Sequence, residues 1–164
     1  MWRILAILGG VSGAVALSQF PEFSQQYLQR LGGKVDALTA VAAQFDATAA
    51  KNGLTREAAL AAMAGSQVLT DQQADMRATL ATQAQLANTL ATLRAASPLV
   101  RLAMPQRFDD VETLQATYAD FRPAIPATTE GAITAGVGYV GGWLLVGGLG
   151  ALLSRPFRRR REDY

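Results

Sequence analysis

Apolar residues are concentrated in two segments, one near each end of the chain. No charged side chain lies between Gly131 and Ser154, and the run from Ala132 to Leu153 contains 22 residues. At 1.5 Å per residue, a helix of that length would be roughly 33 Å long, enough to cross a hydrocarbon core of about 30 Å. The pattern predicts a transmembrane helix over residues 131–154.

The first apolar segment is shorter and admits two interpretations. The stretch from Ile4 to Leu17 is a predominantly apolar run of 14 residues, and no charged side chain follows before Pro21. Its short core, its basic start and the small residues at 14–16 also suit a cleavable signal peptide. We favour a retained transmembrane helix over residues 1–20. Pro21 is then expected to kink the helix, which continues toward Arg30.

The region between these segments, residues 21–130, has apolar positions at helical spacing and no alternating strand pattern. Two stripes predict helices that fold back on each other as a hairpin. The stripe residues are Val35, Leu38, Ala42, Phe45 and Ala49 in the first helix, and Met76, Leu80, Gln83, Leu86, Ala87, Leu90 and Leu93 in the second. The predicted fold class is all-α: an integral membrane protein with two transmembrane helices flanking a soluble helical hairpin or bundle, followed by a basic tail over residues 155–164.

Capping residues mark the ends of the hairpin helices. Gly53 ends the first helix, and Thr55 caps a short connecting helix that ends near Gly65. Thr70 with Gln73 has the spacing of a capping box, which predicts that the second long helix begins there.

A further helix is predicted after the hairpin. Ser97-Pro98 begins a short segment that Pro105 ends, and Asp109 or Asp110 can cap the helix that follows. Its apolar side is expected to consist of Val111, Leu114, Thr117, Tyr118 and Phe121. Residues 122–126, with two prolines, predict a stiff elbow before the second membrane segment; alternatively, Phe121 and Ile125 contact lipid there.

Charge is distributed unevenly along the chain. The two ends carry Arg3, Arg155, Arg158, Arg159, Arg160 and Arg161 against only Glu162 and Asp163, whereas residues 21–131 carry nine basic and eleven acidic side chains. The positive-inside rule therefore places both termini in the cytoplasm and the middle domain in the periplasm. The basic pI then reflects topology and does not require a nucleic-acid partner. The C-terminal arginines also have an alternative role as contacts for anionic lipid.

Small residues recur on one face of each apolar segment. Gly9 and Gly13 are one helical turn apart, and the series Gly131, Ala135, Gly138 and Gly142 follows a single helical face. Such faces let two helix backbones approach closely, within the chain or with a partner. Ordinary glycine enrichment of membrane helices would produce a similar pattern.

Few catalytic arrangements are possible, because the chain has no cysteine and no histidine. This excludes imidazole bases, thiol nucleophiles and Cys/His zinc sites. Asp109, Asp110 and Glu112 form the densest acidic cluster, which suits a helix N-terminus much better than a Ca²⁺ or Mg²⁺ site. A Ser-Lys pair using Lys34 or Lys51 is formally open. We expect no catalytic residue, no metal and no cofactor.

Several short runs resemble a known family. These runs are Ser18-Gln19-Phe20-Pro21-Glu22-Phe23, residues 26–33, Phe45-Asp46, residues 53–58 and residues 120–124. Together they resemble an uncharacterised family of proteobacterial inner-membrane proteins, a domain of unknown function with two membrane segments. The resemblance implies a membrane location and a retained N-terminal segment, and it implies no activity.

Two functional hypotheses follow from these patterns. The first is a non-enzymatic accessory or scaffold protein of the bacterial inner membrane, which packs against other membrane-protein subunits. The second is a self-associating envelope protein that acts on anionic membrane lipid through Arg158 to Arg161. No ionisable residue lies within either apolar run, which argues against ion conduction or coupled transport.

Overall fold

The computed structural model describes the backbone of residues 2–123 and 129–158, and the side chains of these residues up to Leu152. Every regular element in these ranges is a helix, so the predicted all-α class is confirmed. The helices are α1 (Trp2–Ser18), α2 (Phe20–Lys51), α3 (Arg56–Ala62), α4 (Gln67–Ala95), α5 (Pro98–Leu102), α6 (Val111–Asp120) and α7 (Thr129–Arg158), with a 3-10 turn at Pro105–Arg107.

The chain forms two compact units. The membrane unit comprises residues up to 25, residues 98–103 and the chain from residue 120 onward. The hairpin unit comprises residues 26–97 and 104–119. Residues 98–103 thus group with the two apolar helices, although they lie inside the predicted central domain of residues 21–130.

In the membrane unit, α1 and α7 pack against each other as an antiparallel pair. Trp2 lies on Gly150 at one end of the pair, and Gly13 lies against Gly138 further along. Both chain segments contain helices that are long and apolar enough to cross a membrane. Only 17% and 11% of their most apolar windows are buried, unlike the core helix of a soluble protein.

The helix continues past Pro21, as predicted from the sequence. Only Gln19 separates α1 from α2, and α2 then runs without interruption to Lys51. Proline has no N–H to donate, and one hydrogen bond is therefore missing from the turn at this joint. The next turn is restored when the Phe23 N–H donates to the Gln19 carbonyl at 2.9 Å.

In the hairpin unit, α2 and α4 pack side by side in opposite directions. The core contains Tyr27, Leu28, Leu31 and Val35 from α2 with Leu86, Leu90 and Leu93 from α4. Further along the pair, the Gln83 side-chain amide donates to Thr39 Oγ1 at 3.0 Å. All the predicted stripe residues of both helices are buried or half-buried, so the predicted hairpin is confirmed.

The turn of the hairpin is formed by α3 and its flanking glycines. Gly53 and Gly65 both have positive φ, +67° and +109°, which glycine adopts without strain. Thr55 caps α3 by accepting a hydrogen bond from the Ala58 N–H at 3.2 Å, as predicted. The capping box predicted at Thr70 and Gln73 is wrong.

The cap of α4 is Ser66, four residues earlier than predicted. Its Oγ accepts from the Leu69 N–H at 3.3 Å. Thr70 lies inside the helix and donates to the Ser66 carbonyl, while Gln73 donates to the Leu60 carbonyl of α3 at 2.6 Å. Thr70 therefore bonds within the first turn of α4, and Gln73 connects α4 to α3.

The packed side of α6 matches the predicted one only in part, and Thr117 lies on it as predicted. Val111 and Tyr118 are 60% and 78% exposed, whereas Thr113 and Thr117 are buried. Burial of these threonines is tolerated because the Thr117 hydroxyl donates to the Thr113 carbonyl at 2.7 Å. The prediction that Val111 and Tyr118 line the packed side is therefore wrong, while Leu114 is partly buried against the hairpin core as expected.

Candidate functional site

The face that α1 presents to α7 consists of small residues. Ala6 and Gly10 are buried, and Gly9 and Gly13 are half-buried, whereas their larger neighbours are exposed. These positions follow the i, i+3, i+4, i+7 spacing of one helical face. The absence of side chains on this face lets the α7 backbone approach closely.

Two glycine pairs form the centre of the contact. A Cβ added to Gly13 would overlap the Gly138 carbonyl oxygen, and one added to Gly138 would overlap the Gly13 carbonyl oxygen. Gly9 and Gly142 are related in the same way: a Cβ on Gly142 would overlap the Gly9 carbonyl oxygen. Any side chain at these positions would force the helices apart. The structure thus places the predicted stripe residues against each other within the chain.

The rest of the predicted stripe on α7 lies on the same side of the helix. Gly131 and Gly138 are buried, and Ala135 and Gly142 are half-buried. This arrangement means that the four positions are turned toward the protein and not toward its exposed surface.

The contact also includes pairs that the sequence interpretation missed. Tyr139 packs on Gly10, with a ring carbon 2.9 Å from where a Cβ would be, and Trp2 packs on Gly150 in the same manner. Gly150 lies eight residues after Gly142 and so continues the predicted face by two more turns. That spacing was a usable signal for Gly150, whereas nothing in the sequence pairs Tyr139 with Gly10.

Three buried hydroxyl groups in the membrane unit, those of Ser18, Ser24 and Thr134, bond to carbonyls of their own helices. Thr134 is fully buried, and its Oγ1 donates to the carbonyls of Glu130 at 2.9 Å and Gly131 at 3.0 Å. The Ser18 Oγ donates to the Val15 carbonyl at 2.8 Å. Each hydroxyl therefore avoids the cost of an unsatisfied polar group without needing a second molecule.

The opposite faces of α1 and α7 carry large apolar side chains that are exposed. Trp143, mid-way along α7, is 46% exposed, and Leu145 is 65% exposed. Other exposed members are Ile4, Leu5, Ile7, Leu8, Val11 and Val15 on α1, and Ile133, Val137, Val140, Leu144, Leu149 and Leu152 on α7. An apolar surface of this extent is suited to lipid or to other membrane helices.

The arginines predicted to contact the membrane surface lie beyond the described side chains. Arg155 and Arg158 belong to the last turns of α7, and their side chains fall outside the description. Arg159, Arg160 and Arg161 lie wholly outside the described residues, as do residues 124–126 of the predicted elbow. Arg3, at the other end of the chain, is described and exposed.

The acidic cluster before and within α6 binds a lysine of α2. Lys34 Nζ lies 3.0 Å from Asp110 Oδ1 and 2.9 Å from Glu112 Oε2. Asp110 also caps α6, because its carboxylate accepts hydrogen bonds from Thr113 and its carbonyl accepts from the Leu114 N–H. The helix-capping interpretation of this cluster therefore has direct structural support, and no metal-binding group of acidic residues occurs in the described ranges.

The ion pair keeps Lys34 and Asp110 charged. Desolvation alone would lower the pKa of Lys34, but hydrogen bonds and charges from Glu112 and Asp110 outweigh it and raise that pKa. Desolvation would raise the pKa of Asp110, but its bonds from Thr113 and Lys34 outweigh this effect and lower that pKa. A protonated, paired lysine is a poor base, so this pairing does not favour a Ser-Lys site at Lys34.

Tyr27 has the strongest electrostatic perturbation in the hairpin unit. Burial, reinforced by the charges of Asp110 and Asp109, raises the pKa of its phenol to about 12, against an opposing effect of the nearby Asp110 backbone N–H. In the described structure its hydroxyl makes no well-formed hydrogen bond. The ring packs on Phe108 with centroids 4.8 Å apart, which supports a structural role.

Comparison with known protein families shows which family this chain belongs to. The model of a family described as protein of unknown function, DUF2937, matches residues 1–159. No curated protein and no solved structure matches the chain. The match covers the apolar helices and the helical hairpin alike, and the chain therefore belongs to the DUF2937 family of proteins of unknown function.

Proposed function

We propose that this protein is a non-enzymatic accessory or scaffold subunit of the bacterial inner membrane, which binds a larger membrane complex. In this proposal α1 and α7 cross the membrane, both termini are cytoplasmic, and the hairpin unit lies in the periplasm. The basic ends and the weakly acidic middle of the chain support this orientation.

The observation that carries the proposal is an exposed apolar tip on the hairpin unit. Val68 and Leu69, in the first turn of α4, are 73% and 39% exposed, and Leu54 at the same end of the hairpin is 39% exposed. Lipid can account for exposed apolar residues on α1 and α7, but not for those on a helix with a polar exposed face. A hydrophobic surface presented to water is typical of a site that binds another protein.

Lateral packing in the membrane would use the leucine- and valine-rich faces of α1 and α7. The glycine faces of Gly9, Gly13, Gly138 and Gly142 are already occupied by each other. A partner helix would therefore bind the opposite sides of the pair, where the large apolar side chains are exposed.

A charged tip would test the proposal without weakening the helix. Val68→Asp and Leu69→Glu introduce acids at the second and third positions of α4, where acidic residues favour the helix dipole and can complete a capping box with Ser66. Thr82→Glu with Gln85→Glu is the control, because it adds the same charge at exposed positions midway along α4.

The measurement is the mass of the intact assembly isolated from membranes in mild detergent. We expect wild type and the control to carry stoichiometric partner subunits and the tip variant to lose them. A wild-type protein that carries no other subunit in several detergents would overturn the accessory role.

The second candidate is a self-associating protein that acts on anionic lipid. It is favoured by the basic residues that follow α7 in the sequence. Wild-type assemblies made only of copies of this chain, with lipid binding lost when Arg158 to Arg161 become glutamine, would support it in place of the first.

A further inference from the structure

A groove opens on the membrane unit at the end of the α1/α7 pair where Trp2 lies. Its volume is about 550 Å³. The residues that shape it are Trp2, Arg3, Trp143, Leu144, Gly147 and Gly148. Its wall is therefore apolar except for one cation.

Two consecutive glycines create the groove. A Cβ on Gly147 would lie 3.6 Å from the Ala6 Cβ, an ordinary contact, and a Cβ on Gly148 would meet nothing within 4 Å. Trp143 and Leu144, one turn earlier on α7, stand beside this gap and are themselves exposed. The groove is thus an open depression on the surface that faces lipid, and it is not a cavity closed by the protein.

The length of the groove matches a lipid chain better than a compact molecule. It extends along α7 from Trp143 to Ala151. Eight residues of α-helix rise about 12 Å, close to the roughly 15 Å thickness of one leaflet of a bilayer core.

Arg3, the cation among the described lining residues, lies at the end of the helix pair, where a lipid headgroup would be. Arg3 is exposed at the start of α1, and no described residue forms an ion pair with it. An arginine at the end of a membrane helix extends toward the headgroup layer, where its guanidinium binds phosphate through two parallel hydrogen bonds.

We propose that this groove is a binding site for one anionic phospholipid, with an acyl chain lying over Gly147 and Gly148 and the phosphate held by Arg3. The apolar wall accounts for the acyl chain, and the exposed guanidinium of Arg3 at the end of the groove accounts for the preference for a negative headgroup. This site requires that α1 and α7 cross a membrane, but it does not require a partner subunit.

Filling the groove tests the binding of the acyl chain. Gly148→Leu places a side chain in the depression without touching α1, because the position is open. Gly136→Leu is the matched control, since Gly136 is also open and does not line the groove. The probes are phosphatidylglycerol and phosphatidylcholine with the same acyl chains, titrated onto the full-length protein in detergent and counted by native mass spectrometry.

We expect wild type and Gly136→Leu to bind one phosphatidylglycerol more tightly than phosphatidylcholine, and Gly148→Leu to weaken binding of both at least tenfold. Arg3→Gln should weaken the binding of phosphatidylglycerol about fivefold and leave the binding of phosphatidylcholine unchanged. Circular dichroism of each variant shows whether the helices are retained. Equal binding of the two lipids to wild type, or undiminished binding to a helical Gly148→Leu variant, would overturn the proposal.

Discussion

Gly13 and Gly138 lie so close together that the carbonyl oxygen of each occupies the space where a side chain of the other would begin. Such proximity requires glycine on both helices, since even one methyl group would overlap backbone atoms that cannot rotate away. Close packing on α1 thus gives a reason for Gly138, Gly142 and Gly150, which would otherwise only weaken the helix. It also makes the packing of α1 on α7 open to direct test.

A disulfide would report the antiparallel pair in its native membrane. A Cβ at position 147 lies 3.6 Å from the Ala6 Cβ, within the range of 3.5–4.5 Å that disulfides favour. The chain contains no cysteine, so the double variant Ala6→Cys with Gly147→Cys has no competing thiol. We expect it to crosslink rapidly on mild oxidation, detected as a mobility shift reversed by reductant. Ala6→Cys with Gly148→Cys is the control, and equal crosslinking of both variants would contradict the packing.

The two neighbouring glycines Gly136 and Gly138 should respond oppositely to alanine. Gly138→Ala places a methyl group on the Gly13 carbonyl and should destabilise the pair by about 1–3 kcal/mol. Gly136→Ala meets nothing within 4 Å and should be neutral or stabilise by up to about 1 kcal/mol, because alanine favours the helix. Thermal unfolding in one detergent compares them, and the packing would be contradicted if Gly138→Ala melted no lower than Gly136→Ala.

The cap and the ion pair of Asp110 can be separated by substitution. Asp110→Asn keeps a good helix cap but removes the charge opposite Lys34, whereas Asp110→Ala removes both. We expect the alanine variant to lose about 1 kcal/mol more than the asparagine variant in denaturant unfolding. Glu112→Gln, whose side chain is 85% exposed, should cost less than about 0.5 kcal/mol.

Stability should depend on pH through the same carboxyl group. Because the pKa of Asp110 is lower in the folded protein than its ordinary value of 3.8, its ionic contribution is complete above that value and is lost as pH falls through the folded pKa. The gap in unfolding free energy between wild type and Asp110→Asn should therefore be constant near neutral pH and narrow below about pH 4. A gap that widens on acidification would contradict the assignment.

Removal of the Tyr27 hydroxyl should not weaken the fold. A buried hydroxyl without a well-formed hydrogen bond contributes a desolvation cost, so Tyr27→Phe should leave stability unchanged or raise it by up to about 1 kcal/mol. Tyr27→Leu, which loses the ring contact with Phe108, should be clearly destabilising. A loss of more than about 1 kcal/mol in the phenylalanine variant would instead show that the Asp110 N–H depends on the hydroxyl.

Long periodic segments could be predicted well from the sequence. The α2 stripe from Val35 to Ala49 and the α4 stripe from Met76 to Leu93 repeat often enough that one face alone satisfies the apolar pattern. The ends of the hairpin helices could also be predicted. Gly53 and Gly65 adopt the positive φ that glycine favours, and Thr55 caps α3.

Short elements and long-range pairs could not be predicted in the same way. The helix α6 has ten residues, too few for its apolar pattern to show that Thr117 is buried while its neighbour Tyr118 is exposed. Lys34 and Asp110 are 76 residues apart, and nothing local indicates that they meet. Ser66 and Thr70 are both suitable caps, and Gly65 with its positive φ favours the earlier start.

The pairing of α1 with α7 also has a consequence for biosynthesis. Gly13 and Gly138 are separated by 125 residues, so at about 5–20 residues per second the ribosome adds the second glycine roughly 6–25 s after the first. Throughout that interval α7 is not yet present to cover the small-residue face of α1. The hairpin helices α2 and α4 are complete well before α7 emerges. The nascent chain thus exposes the small-residue face of α1 from the synthesis of this helix until that of α7, and another helix can bind this face during that interval.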